Sequence, residues 1–64
     1  MTIRQIRENQ GLSAEELAVK AGVSAQTVYR IERGKQPVGR VYVARVCRAL
    51  GVDIKDVEGL NIRD

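Results

Sequence analysis

The sequence predicts an all-α fold, a compact domain of five short helices with short connections. Two observations favour it: apolar side chains recur at spacings of three and four residues, and glycines stand where the helical stretches end. The 64 residues include no Phe or Trp, so the core must be aliphatic. A chain of this length makes one domain, residues 1–64, near the lower limit for a self-sufficient core.

The first helix is expected over residues 3–10. Thr2 and Gln5 fit a capping box, in which each side chain bonds to the backbone amide of the other residue. Ile3 and Ile6 form the inward pair of this helix, and a glycine follows where the chain leaves it.

The centre of the chain carries two helical patterns separated by a three-residue turn. Ser13, followed by a glutamate three residues later, fits a second capping box and starts a helix at the next residue. Gly22 ends that helix, and Ser24 caps another that runs to about Arg33. Helices so close must cross steeply, which predicts a helix-turn-helix over residues 14–33.

The third helix, residues 25–33, has a polar outer face. With Val28 and Ile31 directed inward, a step of about 100° per residue places four side chains on the opposite side. They are Gln26, Tyr29, Arg30 and Arg33. An ordinary solvated helix face is the alternative interpretation.

This face has the chemistry of base recognition. Gln and Arg can make paired hydrogen bonds to the edges of adenine and guanine, and a helix of this size fits the major groove. Gln26 and Arg30 are therefore the main candidates for base reading. Ala25 and Thr27, at the leading end of the helix, could contact a thymine methyl group or a sugar.

Positive charge is concentrated around the same helix. Residues 20–48 include seven Lys or Arg and one acid, whereas residues 51–64 are net negative. A basic patch is typical of phosphate binding, although scattered arginines can also be ordinary solubilising charge. Free amides at the start of the second helix could hold a further phosphate. The predicted phosphate contacts are Ser13, Ala14, Tyr29, Arg33, Lys35 and Arg40.

Residues 12–34, LSAEELAVKAGVSAQTVYRIERG, resemble the Cro/CI-type (XRE-like) family of helix-turn-helix DNA-binding proteins. The resemblance covers nearly the whole chain, because Arg7, the GKQP step at 34–37 and the ALGV step at 49–52 also fit the family pattern. It implies a five-helix, lambda-repressor-like DNA-binding domain.

The resemblance also bears on single residues. In the family an arginine and a glutamate at the positions of Arg7 and Glu32 form an ion pair between the first and third helices. Two independent surface charges are the alternative. The family often has Gln at the first position of the second helix, where it reaches a phosphate, and this chain has Ala14.

The second half of the chain predicts a loop and a long helix. Pro37 lacks an amide hydrogen and favours a loop over residues 35–39. A fourth helix should begin near residue 39 or 40 and end before Gly51, with Val43, Val46, Cys47 and Leu50 directed inward. Tyr42 could cover the edge of the core or offer its hydroxyl to a phosphate.

The end of the chain has a weaker pattern. Asp53 is a plausible cap for a short fifth helix over residues 54–58, which Gly59 would end. Residues 60–64 alternate apolar and polar side chains, and this tail could be frayed or pack against a second subunit. The end of the fourth helix, the fifth helix and the tail form the predicted dimer surface.

The function predicted from these features is a sequence-specific transcription regulator that binds double-stranded DNA, as a homodimer on a palindromic operator. The alternative is a protein-interaction module or antitoxin-like adaptor. Such a module would need exposed apolar anchors on the third helix, where Tyr29 is the only candidate.

Other classes of function find no support in the composition. The chain has no histidine, metal-ligand cluster or phosphate-cradling glycine loop, and its one cysteine, Cys47, is expected to be structural. We therefore expect no enzyme activity, cofactor or small-molecule substrate. No apolar run reaches membrane-spanning length and no signal-peptide pattern occurs, which predicts a cytoplasmic protein without a membrane partner. The resemblance to the Cro/CI-type family implies that the protein is bacterial or phage-encoded.

Overall fold

The computed structural model describes all 64 residues and shows a mostly helical domain with four α-helices. The helices are α1 (Ile3–Asn9), α2 (Ala14–Ala21), α3 (Ala25–Arg33) and α4 (Arg40–Leu50). One turn of 3-10 helix follows at Ile54–Asp56, and two short strands, β1 (Val38–Gly39) and β2 (Ile62–Arg63), pair in parallel. α2 and α3 form the helix-turn-helix, and α1 and α4 both pack against α3. None of these helices combines the length and the apolar character that a bilayer crossing requires.

The starts of the first three helices follow from local hydrogen bonds. The Thr2 hydroxyl accepts from Gln5 N at 3.2 Å, and the Ser13 hydroxyl accepts from Glu16 N at 3.0 Å. In return, the side-chain oxygens of Gln5 and Glu16 accept hydrogen bonds from the backbone amides of Thr2 and Ser13. The Ser24 hydroxyl caps α3 in the same way, without the return bond. These contacts confirm the predicted helix starts.

The core is aliphatic, as the composition requires. It contains the buried side chains of all four helices and of β1, and no polar side chain is buried with them. Cys47 is part of this core as a free thiol, and burial raises its pKa. The buried residues are Ile3, Ile6, Ala14, Leu17, Ala18, Val28, Ile31, Val38, Val43, Val46, Cys47 and Leu50.

The prediction of a fifth helix over residues 54–58 is wrong: this segment contains only the single 3-10 turn, which Asp53 caps. Val57 already has extended backbone angles (φ −106°, ψ 132°). The next amide, Glu58 N, donates to Met1 O at 3.0 Å, in a bridge between the two ends of the chain. An α-helix would need this amide for an internal bond, so the long-range contact ends the helical turn.

Fraying, one of the two expected fates of the tail (residues 60–64), is contradicted. The tail lies on its own domain, because β2 pairs with β1 in the register Val38 with Ile62. Val38 N donates to Asn61 O at 2.9 Å, and Asn61 Nδ2 donates to Gly34 O at 3.2 Å. Ile62 packs against the core. The alternation of apolar and polar residues therefore reflects a short strand.

A substitution at Gly34 tests how closely the segment before the tail packs against the end of α3. Its φ is +66°, and a Cβ at this position would lie 3.0 Å from Gly59 O. We expect Gly34→Ala to lower the free energy of unfolding by about 2–3 kcal/mol, because left-handed strain and a backbone clash add together. Gly11→Ala is the matched control, since Gly11 has φ +73° with no atom within 4 Å of the added Cβ.

The control substitution should cost only about 1 kcal/mol, from backbone strain alone. Urea denaturation followed by circular dichroism measures both values. Equal losses for the two variants would contradict the close packing of Gly59 against Gly34.

Candidate nucleic-acid interface

α3 is anchored by its apolar side and exposes its polar side. Val28 and Ile31 are buried, whereas Gln26, Arg30 and Arg33 are exposed. Gly34, in the left-handed conformation, then turns the chain sharply into the loop that carries Lys35. Residues from the helix and from the loop therefore meet on one surface.

That surface is a shallow groove lined by five side chains, which we call the reading groove: Gln26, Arg30, Arg33, Lys35 and Gln36. Every lining residue is polar, three are basic and none is acidic. Such a set offers hydrogen-bond donors and positive charge to a partner, with no carboxylate to repel an anion. The structure thus brings together four of the residues predicted to touch DNA and adds Gln36, which the sequence reasoning missed.

A second concave surface adjoins the first. It lies between the helix-turn-helix turn, β1 and the start of α4, and its volume is about 580 Å³. We call it the loop cleft. Arg30 and Gln36 belong to both surfaces, and no acidic residue lines the loop cleft. Its polar lining residues are Ser24, Thr27, Arg30, Gln36, Tyr42 and Arg63.

Tyr42 lies in the loop cleft and is 47% exposed. Thr27 lines the same cleft, and its hydroxyl lies 2.9 Å from the Ser24 hydroxyl at the cap of α3. Ala25 is partly buried against the core, at the first position of α3. Of the predicted base-reading residues, Gln26 and Arg30 are thus the most accessible.

A bidentate ion pair fixes α3 against α1. Arg7 Nε lies 2.7 Å from Glu32 Oε2, and Arg7 Nη2 lies 3.2 Å from Glu32 Oε1. Arg7 Nη1 also donates to Leu12 O at 2.9 Å, which ties in the connection between α1 and α2. The two charged side chains are only 12% and 9% exposed, and the hydrogen bond to Glu32 raises the pKa of Arg7. The pair therefore sets the position of the helix that carries the reading groove.

The start of α2 offers backbone groups more than side chains. The Ser13 hydroxyl already accepts the bond from Glu16 N, and the Ala14 side chain is buried. The amides of Ala14 and Glu15 have no partner within the helix, as at any helix start. Glu15 and Glu16 place two carboxylates beside them, and bonds from Ser13 lower the pKa of Glu16.

Two of the predicted phosphate contacts have partners within the chain. The Tyr29 hydroxyl donates to Glu15 Oε2 at 2.9 Å, and this bond raises the pKa of Tyr29. Arg40 Nε lies 2.6 Å from Asp64 Oδ1, an exposed pair that raises the pKa of Arg40 and lowers that of Asp64. Arg33 and Lys35 take part in none of the ion pairs of the structure. Their charges are available to an anion.

Nowhere in the chain do three or more His, Cys, Asp or Glu side chains come close enough to hold an ion.

Comparison with known proteins identifies the family of the chain. A family model described as a helix-turn-helix domain matches residues 1–60. An uncharacterized HTH-type transcriptional regulator of Methanothermobacter thermautotrophicus is 39% identical over 56 residues, which is 86% of this chain and 81% of that protein. An uncharacterized HTH-type transcriptional regulator of Methanocaldococcus jannaschii is 34% identical over 55 residues, 86% of this chain and 83% of its own length.

A third similar protein, the uncharacterized HTH-type transcriptional regulator YgzD of Bacillus subtilis, is 31% identical over 55 residues, 86% of this chain and 83% of its own length. No solved structure matches the chain significantly.

Proposed function

Because the chain belongs to the helix-turn-helix domain family, we propose that it is a transcription regulator that binds double-stranded DNA in a sequence-specific manner. The observation that supports the proposal most is the reading groove, in which five polar side chains of α3 and the following loop, three of them basic, lie together without an acid. The three similar proteins bear the name of HTH-type transcriptional regulators, which supports the proposal. The Cro/CI-type docking of α3 in the major groove is part of it.

In this proposal the base readers are on the first two turns of α3. Gln26 and Arg30 are exposed and lie four residues apart, so they project from the same side of the helix. Each can make a bidentate contact with a purine, Gln with adenine and Arg with guanine. Ala25 and Thr27, at the leading end, add van der Waals contacts with a thymine methyl group or a sugar.

Phosphate contacts would surround the base readers. Arg33 and Lys35 line the reading groove without an acidic partner. Ser13 and Ala14 contribute through the start of α2, where backbone amides rather than side chains face the phosphate. Tyr29 and Arg40 contribute only after exchanging Glu15 and Asp64 for a phosphate oxygen, so their share should be smaller.

A homodimer on a palindromic operator is the proposed assembly, because a single helix contacts only a few base pairs. Two copies related by a two-fold axis would read half-sites about 34–36 Å apart. The dimer surface predicted from the sequence, the end of α4 with the segment that follows it and the tail, remains part of this proposal.

Selection of bound sites from a randomised duplex library tests binding, sequence preference and half-site spacing together. A consensus with two related half-sites supports the proposal. Recovery of no enriched sequence, with capture of a protein partner through the exposed ring of Tyr29, would favour the protein-interaction alternative.

The affinity for DNA should depend strongly on salt. Each phosphate neutralised by a cation contributes about −0.9 to the slope of log K against log salt. Arg33→Gln should weaken binding to all duplexes alike and make the slope shallower by about 0.9. Fluorescence anisotropy titrations over a range of KCl concentrations measure this, with Lys55→Gln as control, since Lys55 lies in the 3-10 turn outside both concave surfaces. An affinity that is indifferent to salt would refute the DNA proposal.

A further inference from the structure

The parallel pairing of the strands gives the C-terminal segment a position beside the reading groove. Gly39 pairs with Arg63, so the tail runs along the loop that joins α3 to α4. The bonds Val38 N to Asn61 O and Asn61 Nδ2 to Gly34 O hold it there at both ends of this loop. The tail is therefore part of the surface that continues from α3.

Alternation along the strand decides which side chain reaches that surface. Ile62 packs against the core, and its neighbour Arg63 is consequently exposed on the other side, in the loop cleft. Arg30 lies in the same cleft and also in the reading groove. One continuous, acid-free surface thus extends from the proposed base readers to Arg63.

The charge of Arg63 is available to a ligand. Arg63 takes part in none of the ion pairs of the structure. The acid next to it, Asp64, is paired with Arg40 at 2.6 Å. Tyr42, on the first turn of α4, lines the same cleft and is 47% exposed. An arginine and a tyrosine that line one acid-free cleft suit a phosphodiester group.

From this geometry we infer that Arg63 binds a backbone phosphate of the DNA strand that flanks the base pairs read by α3. The inference rests on the proposed function and extends the DNA-binding surface from the helix-turn-helix to the C-terminal strand. The β1–β2 pairing then has a role in binding, because it holds an arginine in the cleft that Arg30 also lines.

The test compares single-residue variants by anisotropy with a labelled mixed-sequence duplex at several KCl concentrations. Arg63→Gln should weaken binding roughly three- to tenfold at low salt and make the salt slope shallower by about 0.9. Arg63→Lys, which keeps the charge, should retain the slope of the unmodified chain. Lys55→Gln, which removes one exposed positive charge from the 3-10 turn, should leave the slope unchanged.

Each other outcome has a definite meaning. If the unmodified chain binds with a steep salt slope and Arg63→Gln behaves like Lys55→Gln, the role of Arg63 is refuted while the proposed function stands. If Arg63→Lys makes the salt slope as shallow as Arg63→Gln does, the effect does not come from a charge at this position, and the inference is also refuted. If the unmodified chain shows no salt-dependent binding, the proposed function and the inference fall together.

Discussion

Replacing Arg7 by methionine is expected to lower the free energy of unfolding by about 2–4 kcal/mol. This value lies between the large cost of leaving a buried charge without its partner and the small contribution of an exposed ion pair. The loss is large because Arg7 has three partners at once: both carboxylate oxygens of Glu32 and the carbonyl of Leu12. Its removal leaves a carboxylate that is only 9% exposed without its counter-charge. Glu32→Gln should cost less, because the neutral amide can still accept a hydrogen bond.

The matched control is the other arginine of α1. Arg4 Nε lies 3.2 Å from Glu8 Oε2, but these side chains are 69% and 54% exposed and belong to the same helix. Arg4→Met should therefore cost no more than about 0.5 kcal/mol. Urea denaturation of Arg7→Met, Glu32→Gln and the double variant gives the coupling energy. A coupling near zero would mean that the pair does not stabilise the fold.

The helix-turn-helix could be predicted from the sequence because its boundaries depend on neighbours along the chain. Thr2, Ser13 and Ser24 each cap a helix through a bond to the amide three residues later. Gly22 and Gly34 end α2 and α3 in the left-handed conformation. Such signals are local, so they can be read without knowing the rest of the fold.

The C-terminal third could not be predicted in the same way. Asp53 caps a helix start and a single 3-10 turn equally well. The turn ends there because Glu58 N bonds to Met1 O, 57 residues away along the chain. Likewise, two strands of two residues each are too short for a sequence pattern to predict their pairing. The pairing depends on the contacts of Asn61 with Gly34 and Val38.

The candidate site could also be predicted only where it depends on local sequence patterns. The face of α3 follows from helical periodicity, because burying Val28 and Ile31 leaves Gln26 and Arg30 outside. The contributions of Gln36, Tyr42 and Arg63 depend on how the loop and the tail fold against each other, which no local pattern contains. The ion pair between Arg7 and Glu32, which the resemblance to the Cro/CI-type family predicted, is present in the structure.

The second large effect concerns specificity. Arg30→Ala should weaken binding to the selected site by about 1–3 kcal/mol and relax the preference at one base pair, which we expect to be a guanine. Arg30 lies where the reading groove and the loop cleft meet, so it is the most central cation of the proposed interface. If Arg30 contacted only phosphate, its replacement would weaken binding to every sequence equally and leave the consensus unchanged.

Gln26→Ala is the companion variant, since Gln26 is exposed one helical turn earlier on α3. It should relax the preference at a different base pair, an adenine by the geometry of its amide. Site selection repeated with the unmodified chain, Arg30→Ala, Gln26→Ala and Lys55→Gln separates the two roles, with the last variant reporting any effect of charge alone. If Arg30→Ala and Gln26→Ala both select the consensus of the unmodified chain, α3 does not read bases, and a different surface must give the protein its specificity.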